Sequence, residues 1–200
     1  MRRLAGPPIL PAMTALDLSA DVGLLAVFLA TANICLGLLI AVRYSPRRSW
    51  PHRRLDLFAF HNWTAYLLLA AILVHPVILL FSRSARWRLL DIALPAWSPV
   101  QPLANTVGAA GLYLIVVVVV TSYFRIGLGR RRWKRFHYLV YAAAACVFVH
   151  GILADPRLQG VAIDPLDGEK LFVESCLLFT ILAMAWARRH GLRKDAGAKS

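Results

Sequence analysis

Four of the six histidines fall inside long apolar runs, and they fall there in two pairs. His61 and His75 stand fourteen positions apart in one run, and His137 and His150 thirteen apart in another. An ionisable side chain at membrane depth is costly and marks a functional site by default. One such histidine needs only a hydrogen-bonding neighbour. Two pairs at nearly equal spacing point to ligation, for which neutral imidazole is well suited. A haem iron accepts one axial imidazole on each face, and bis-histidine ligation leaves no position open for oxygen at the metal. His52 and His190 lie in basic flanking segments and read as solvated or headgroup-facing. Cys35, Cys146 and Cys176 form no C-x-x-C pair, so zinc, iron–sulfur and disulfide frameworks have no support. They read as small apolar residues.

The elements that must position these histidines are membrane helices. The chain has 200 residues, 59% of them hydrophobic, against about 45–50% in a soluble domain, and its mean hydropathy is +0.60. Five apolar segments predict five spans of about 20 residues each: 22–42, 57–81, 103–124, 136–154 and 171–187. The fold class is therefore an all-α integral membrane bundle. Pro99 and Pro102 precede the third segment, where proline suits a helix start. The stretch 155–170, with Pro156, Gly160, Pro165 and Gly168, is a break. The expected organisation is an amino-terminal segment (1–21), a transmembrane haem-binding domain (22–190) and a disordered basic tail (191–200). Met1-Arg2-Arg3 is basic, but Pro7, Pro8 and Pro11 make the next stretch a poor core for a cleaved signal.

Charge sets the orientation. Lys and Arg number 23 against 10 Asp and Glu. In a soluble protein that balance would point to nucleic acid, but here the basic residues cluster between apolar runs, which excludes that reading. Arg43, Arg47, Arg48, Arg53 and Arg54 join the first two segments; Arg125, Arg130, Arg131, Arg132, Lys134 and Arg135 join the third and fourth; Arg188, Arg189, Arg193 and Lys194 follow the fifth. The positive-inside rule places all three in the cytoplasm, with the amino terminus out and the carboxyl terminus in. Arg2 and Arg3 on the outward terminus run against it.

The second and fourth segments then run in the same direction. His61 and His137 share the inner level, and His75 and His150 an outer one about 20 Å away. A haem gripped at each level would span most of a hydrocarbon core about 30 Å thick. Fourteen residues at about 100° each return to within about 40° of one face, but thirteen end about 140° away. His137 and His150 therefore share a face only if the helix is wound differently between them, for which a π-bulge is one remedy. Small residues at 142–145 and at Gly108 and Gly111 leave room for a macrocycle or simply let helices pack. Trp63, Tyr66, Tyr138 and Phe148 border the haems or anchor the interface. Pro76, directly after His75, predicts a kink.

The run from Arg53 to His75, R-R-L-D-L-F-A-F-H-N-W-T-A-Y-L-L-L-A-A-I-L-V-H, and the run from Thr121 to His150, with its F-H-Y-L-V-Y-A-A-A-A-C-V-F-V-H end, resemble the ferric reductase-like transmembrane domain, the haem-carrying membrane part of NADPH oxidases and ferric reductases. Thirteen and then twelve intervening residues are that family's spacing, so it accommodates the shorter step. The resemblance, over about 24–151, implies two b-type haems, His61 with His137 at the inner level and His75 with His150 at the outer. It implies electrons passed outward to an external acceptor such as oxygen, ferric iron or a partner protein. The family usually has six helices, of which the first is missing here, and carries flavin and nicotinamide domains that this sequence lacks. Gly127-Leu128-Gly129 is no dinucleotide motif. FAD and NAD(P)H thus enter only through a partner, and the donor is a flavoprotein or a membrane quinone. Haem membrane subunits of periplasmic methionine-sulfoxide reductases share that lack.

Arg54, Arg125 and Arg135 lie near the inner level and could pair with haem propionates; arginines that only set topology are the weightier alternative. The expected protein is a multi-pass component of a bacterial inner membrane. The competing class is a transporter or proton path built on the intramembrane histidines, against which the second to fourth segments carry no central Asp or Glu.

Overall fold

The computed structural model describes residues 13–44, 56–83, 86–154 and 166–197, and all the regular structure among them is helical. Helix α1 (Ala15–Ala41) starts earlier than the expected boundary at residue 22. Thr14 and Asp17 form a reciprocal capping box, with Thr14 N donating to Asp17 Oδ2 at 2.8 Å and Asp17 N to Thr14 Oγ1 at 3.2 Å. That pairing satisfies two of the orphan donors of a first turn. Helix α2 (Leu57–Ile78) is capped by Asp56, whose carboxylate accepts from Phe58 N and Ala59 N at 3.0 and 3.1 Å. It continues through Pro76 and passes into a 3₁₀ turn at Leu79–Phe81.

The connection onward holds the short helix α3 (Leu89–Ala93) and a 3₁₀ turn at Pro95–Trp97. The Tyr113 hydroxyl donates to Ala93 O and fastens this connection to α4 (Pro102–Tyr123). Proline opens α4 as expected. Next come α5 (Arg125–His137), α6 (Leu139–Leu153) and α7 (Gly168–Gly197). The basic link between the third and fourth segments is thus itself helical, with one break at Gly129, where φ is 74° and ψ is 154°. A side chain resists that backbone region and glycine does not. Residues 191–197, expected as an irregular tail, continue α7; Leu, Arg, Lys and Ala are strong helix formers.

Among the described residues, five helical stretches are long and apolar enough to cross a membrane: Ala15–Ala41, Leu57–Phe81, Pro102–Tyr123, Arg125–Leu153 and Gly168–Gly191. The bundle consists of two helix pairs, α1 on α2 and α4 on α6, with α7 against α1 and α6. One buried cluster joins Ala26, Ala30, Leu68, Ala71, Ile115 and Ala143; another joins Val27, Phe148, Val173 and Cys176. Small residues dominate the first, as expected where helices meet without a hydrophobic driving force between them. Large apolar side chains point outward instead, among them Leu67, Leu182 and Phe179. Such a surface suits lipid. The start of α7 is tied to the end of α6 by Lys170, which is 6% exposed and donates Nζ to Gly151 O and Ala154 O. A cation there meets the negative end of the α6 dipole.

Candidate functional site

The four histidines come together as two facing pairs. The His61 and His137 rings have centroids 6.2 Å apart at 69° between planes. The His75 and His150 rings are 6.1 Å apart at 75°. Two imidazoles on opposite sides of one metal, each with a metal–nitrogen bond of about 2 Å and about 1 Å more to the ring centre, put their centroids about 6 Å apart. Both pairs have the separation that a shared metal requires. Helices α2 and α6 otherwise scarcely touch: α2 packs mainly on α1, and α6 on α4 and α7.

Each ring is held from behind by the helix packed on its own. His75 Nδ1 donates to Ser19 O at 2.7 Å, and His61 Nδ1 to Asn33 O at 3.1 Å. His150 Nδ1 donates to Ala104 O at 2.8 Å. An Nδ1–H spent in this way leaves Nε2 with the lone pair, which fixes the tautomer for ligation. The side chains of Ser19 and Asn33 reinforce the grip. Ser19 Oγ donates to His75 O at 3.0 Å, and Asn33 Nδ2 to His61 O at 2.6 Å.

The ring can lie this close because a glycine stands one turn after each accepting carbonyl. A Cβ at Gly23 would meet His75 Cε1 at 3.1 Å, one at Gly37 would meet His61 Cε1 at 3.4 Å, and one at Gly108 would meet His150 Nδ1 at 2.8 Å. Gly23 and Gly37 are fourteen residues apart on α1, the spacing of the histidines they face. The fourth position breaks the pattern. Fourteen residues after Gly108 stands Ser122, whose hydroxyl is 3.4 Å from His137 Nδ1 and accepts from Trp133 Nε1 at 3.3 Å. The Trp133 ring lies against His137, centroids 5.1 Å apart.

Between His137 and His150 the helix is interrupted at Tyr138, which separates α5 from α6. Tyr141 N bonds to Tyr138 O at 3.2 Å, an i→i+3 closure. Such a turn winds tighter than an α-helix and adds about 60° over its three residues, so it makes up part of the shortfall where α5 gives way to α6.

Two clefts meet at the His75–His150 pair. One is lined mainly from α1, α6 and α7, the other mainly from α2, α3 and α4, and with space open to the outside they enclose about 1000 and 520 Å³. Among the described residues no group of three or more His, Cys, Asp or Glu could hold a metal ion. Each pair offers two ligands on opposite faces, which suits a metal whose remaining positions a macrocycle fills. At the His75–His150 pair, ligand number, ring separation, fixed tautomer and flanking space fit haem; at the His61–His137 pair, ligand number and ring separation fit it.

The arginines divide. Arg125 lies with its guanidinium 5.0 Å from the centre of the Phe58 ring, at the His61 end of α2. Arg135 is exposed, and Arg54 lies outside the described residues, as does His52. His190 packs against Trp186 with centroids 5.4 Å apart, and its Nδ1 is shielded, so it is less solvated than expected. Of the aromatic candidates, Trp63, Tyr66 and Tyr138 are exposed, and Phe148 is buried with Val27 and Val173. The two readings of the α4 glycines separate: Gly108 makes room for His150, whereas Gly111 lets Cys146 and Val147 approach. Sequence reasoning missed Gly23, Gly37, Ser19, Asn33 and Ser122. The fourteen-residue repeat of glycine on α1 was the available signal.

Comparison with known proteins places a family model, described as the ferric reductase like transmembrane component, over residues 26–148. That span carries three of the four paired histidines, all except His150. No curated protein and no solved structure matches the chain.

Proposed function

Because the chain belongs to the ferric reductase like transmembrane component family, we propose that it is a membrane electron conduit holding two b-type haems, one between His61 and His137 and one between His75 and His150. The observation that carries this is the pair of facing imidazole couples at metal-bridging separation, 6.2 and 6.1 Å. Haem supplies, when bound, a reversible one-electron iron couple at each level. The protein's part is positional. Backbone carbonyls of α1 and α4 aim three of the four ligands. The lining of the clefts is mostly apolar, and the low dielectric it provides would help set the potential of a bound iron.

Direction follows from charge. The Arg-rich helix α5 adjoins His137, and the positive-inside rule assigns that end to the cytoplasm. The donor, a flavoprotein or a quinone, delivers at the His61–His137 level, and the acceptor draws from the His75–His150 level on the far side. The setting is a bacterial inner membrane. Arg125 and Arg135 lie at the end where propionates of the inner haem would need cations.

The test is a dithionite-reduced minus oxidised spectrum with haem-to-protein stoichiometry on the detergent-purified chain, beside His61→Ala and His75→Ala. Two haems in the native chain and one lost in each variant are expected. A native chain that takes up no haem when haem is abundant sinks the proposal and turns attention to ion flux through the same histidines.

A further inference from the structure

Trp87 lies in the connection between α2 and α4, two residues before α3. It lines both clefts that meet at His75 and His150. Its indole Nε1 is shielded from solvent and has no hydrogen-bond partner. A buried donor left without an acceptor is rare, because water has been given up and nothing replaces it. Indole N–H can only donate, so whatever completes the site there must bring an acceptor.

Neighbouring polar groups in the lining are already engaged. Asn105 Nδ2 donates to Val100 O at 2.7 Å and to Ser98 Oγ at 3.3 Å. Ser19 Oγ is committed to His75 O, and the Nδ1 atoms of both histidines to main-chain carbonyls. Lys170 holds the end of α6. The stretch from Arg88 to Ala93 is pinned at both ends. Asp91 caps α3 by accepting from Arg88 N at 2.9 Å, and the Tyr113 hydroxyl holds Ala93. Trp87 therefore directly precedes an anchored segment and lines both clefts.

We propose that Trp87 is a positioning residue for the group held by His75 and His150: its Nε1–H donates to a carboxylate of that porphyrin and fixes the rotation of the macrocycle about the iron–imidazole axis. This rests on the haem reading above. A donor on that carboxylate draws negative charge away from the iron and favours the ferrous form. Its removal lowers the midpoint potential of one centre only.

The experiment is a potentiometric titration of the haem-loaded chain, native and with Trp87→Phe and Trp87→His. The His75→Ala variant identifies the outer centre by its absence. Trp87→Phe is expected to keep both haems and to lower the midpoint of the outer centre alone. Trp87→His, which retains a ring N–H, is expected to recover part of that shift. Unchanged midpoints in Trp87→Phe overturn the proposal, as does a shift confined to the centre that His61→Ala removes. If Trp87→Phe loses the outer haem altogether, Trp87→His decides. A retained haem near the native midpoint supports the donor, and a second loss assigns Trp87 to packing and overturns it. A native chain with no haem defeats the haem reading itself; a native chain with two centres and an indifferent Trp87→Phe defeats only this inference.

Discussion

Adding one methyl group at Gly108 places a Cβ 2.8 Å from His150 Nδ1, 2.9 Å from Cε1 and 3.0 Å from Cγ. Carbon contacts become comfortable only near about 3.5 Å. The imidazole lies flat against the added atom and has to retreat by roughly half an ångström or more, away from Ala104 O, to which it now donates at 2.8 Å. Overpacking costs about 1–3 kcal/mol and a lost hydrogen bond about 1 kcal/mol. The gain in helix propensity from glycine to alanine offsets about 1 kcal/mol. The net penalty of about 1–3 kcal/mol is a loss of about 5- to 150-fold in haem affinity at the outer level. The same substitution is gentler at Gly23, where the nearest ring atom is 3.1 Å away, and fits at Gly37, where it is 3.4 Å. Haem titration of the three purified haem-free variants, with thermal unfolding beside it, should rank Gly108→Ala as most damaging, Gly23→Ala as intermediate and Gly37→Ala as neutral, or stabilising by up to about 1 kcal/mol. Equal losses at all three, or the largest loss at Gly37, would refute the claim that these glycines are spaces for the ligands.

Ser122→Ala takes away the hydroxyl that Trp133 and His137 share; it should leave both haems bound and raise the midpoint of the inner centre alone, because a ligand without an acceptor on Nδ1 is a weaker base. A titration with both midpoints unmoved removes Ser122 from the ligand's surroundings. The planes within the pairs differ by 69° and 75°, so low-temperature electron paramagnetic resonance of the oxidised protein should show large-g, highly anisotropic low-spin signals; a rhombic three-feature spectrum at both centres would mean that the rings turn parallel when haem binds.

The histidine ladder is legible in the sequence because imidazole in an apolar run is costly and has few excuses. The five spans are legible for the complementary reason: a bilayer demands a length of apolar chain that soluble cores do not need. Other features depend on tertiary pairing. Gly23 and Gly37 look like ordinary membrane-helix glycines until α1 is laid on α2 and each faces a ring. The register between helices is set by packing, which no single helix encodes. Helix α5 reads as a connecting loop because seven of its thirteen residues are Arg, Lys or His, and charge density there signals topology whether or not the backbone is helical. Thr14 with Asp17 is a readable start signal, masked by the three prolines upstream, which draw the boundary later. The tightened turn at Tyr138 interrupts the helix between His137 and His150 in a way that composition does not announce.

The acceptors behind His61, His75 and His150 are main-chain atoms. A side-chain acceptor can be erased by one base change in the gene; a peptide carbonyl persists through every substitution at its position. Three of the four proposed ligands are thereby insulated from mutational drift in their basicity, and what selection can still reach is the access of the ring to that carbonyl, through the neighbouring glycine. Ser122 is the exception, a hydroxyl where the repeat would have a glycine, with its partner ring also touched by Trp133. At the inner level alone, small inherited changes can retune a ligand without dismantling it, so divergence in driving force between related proteins should concentrate there.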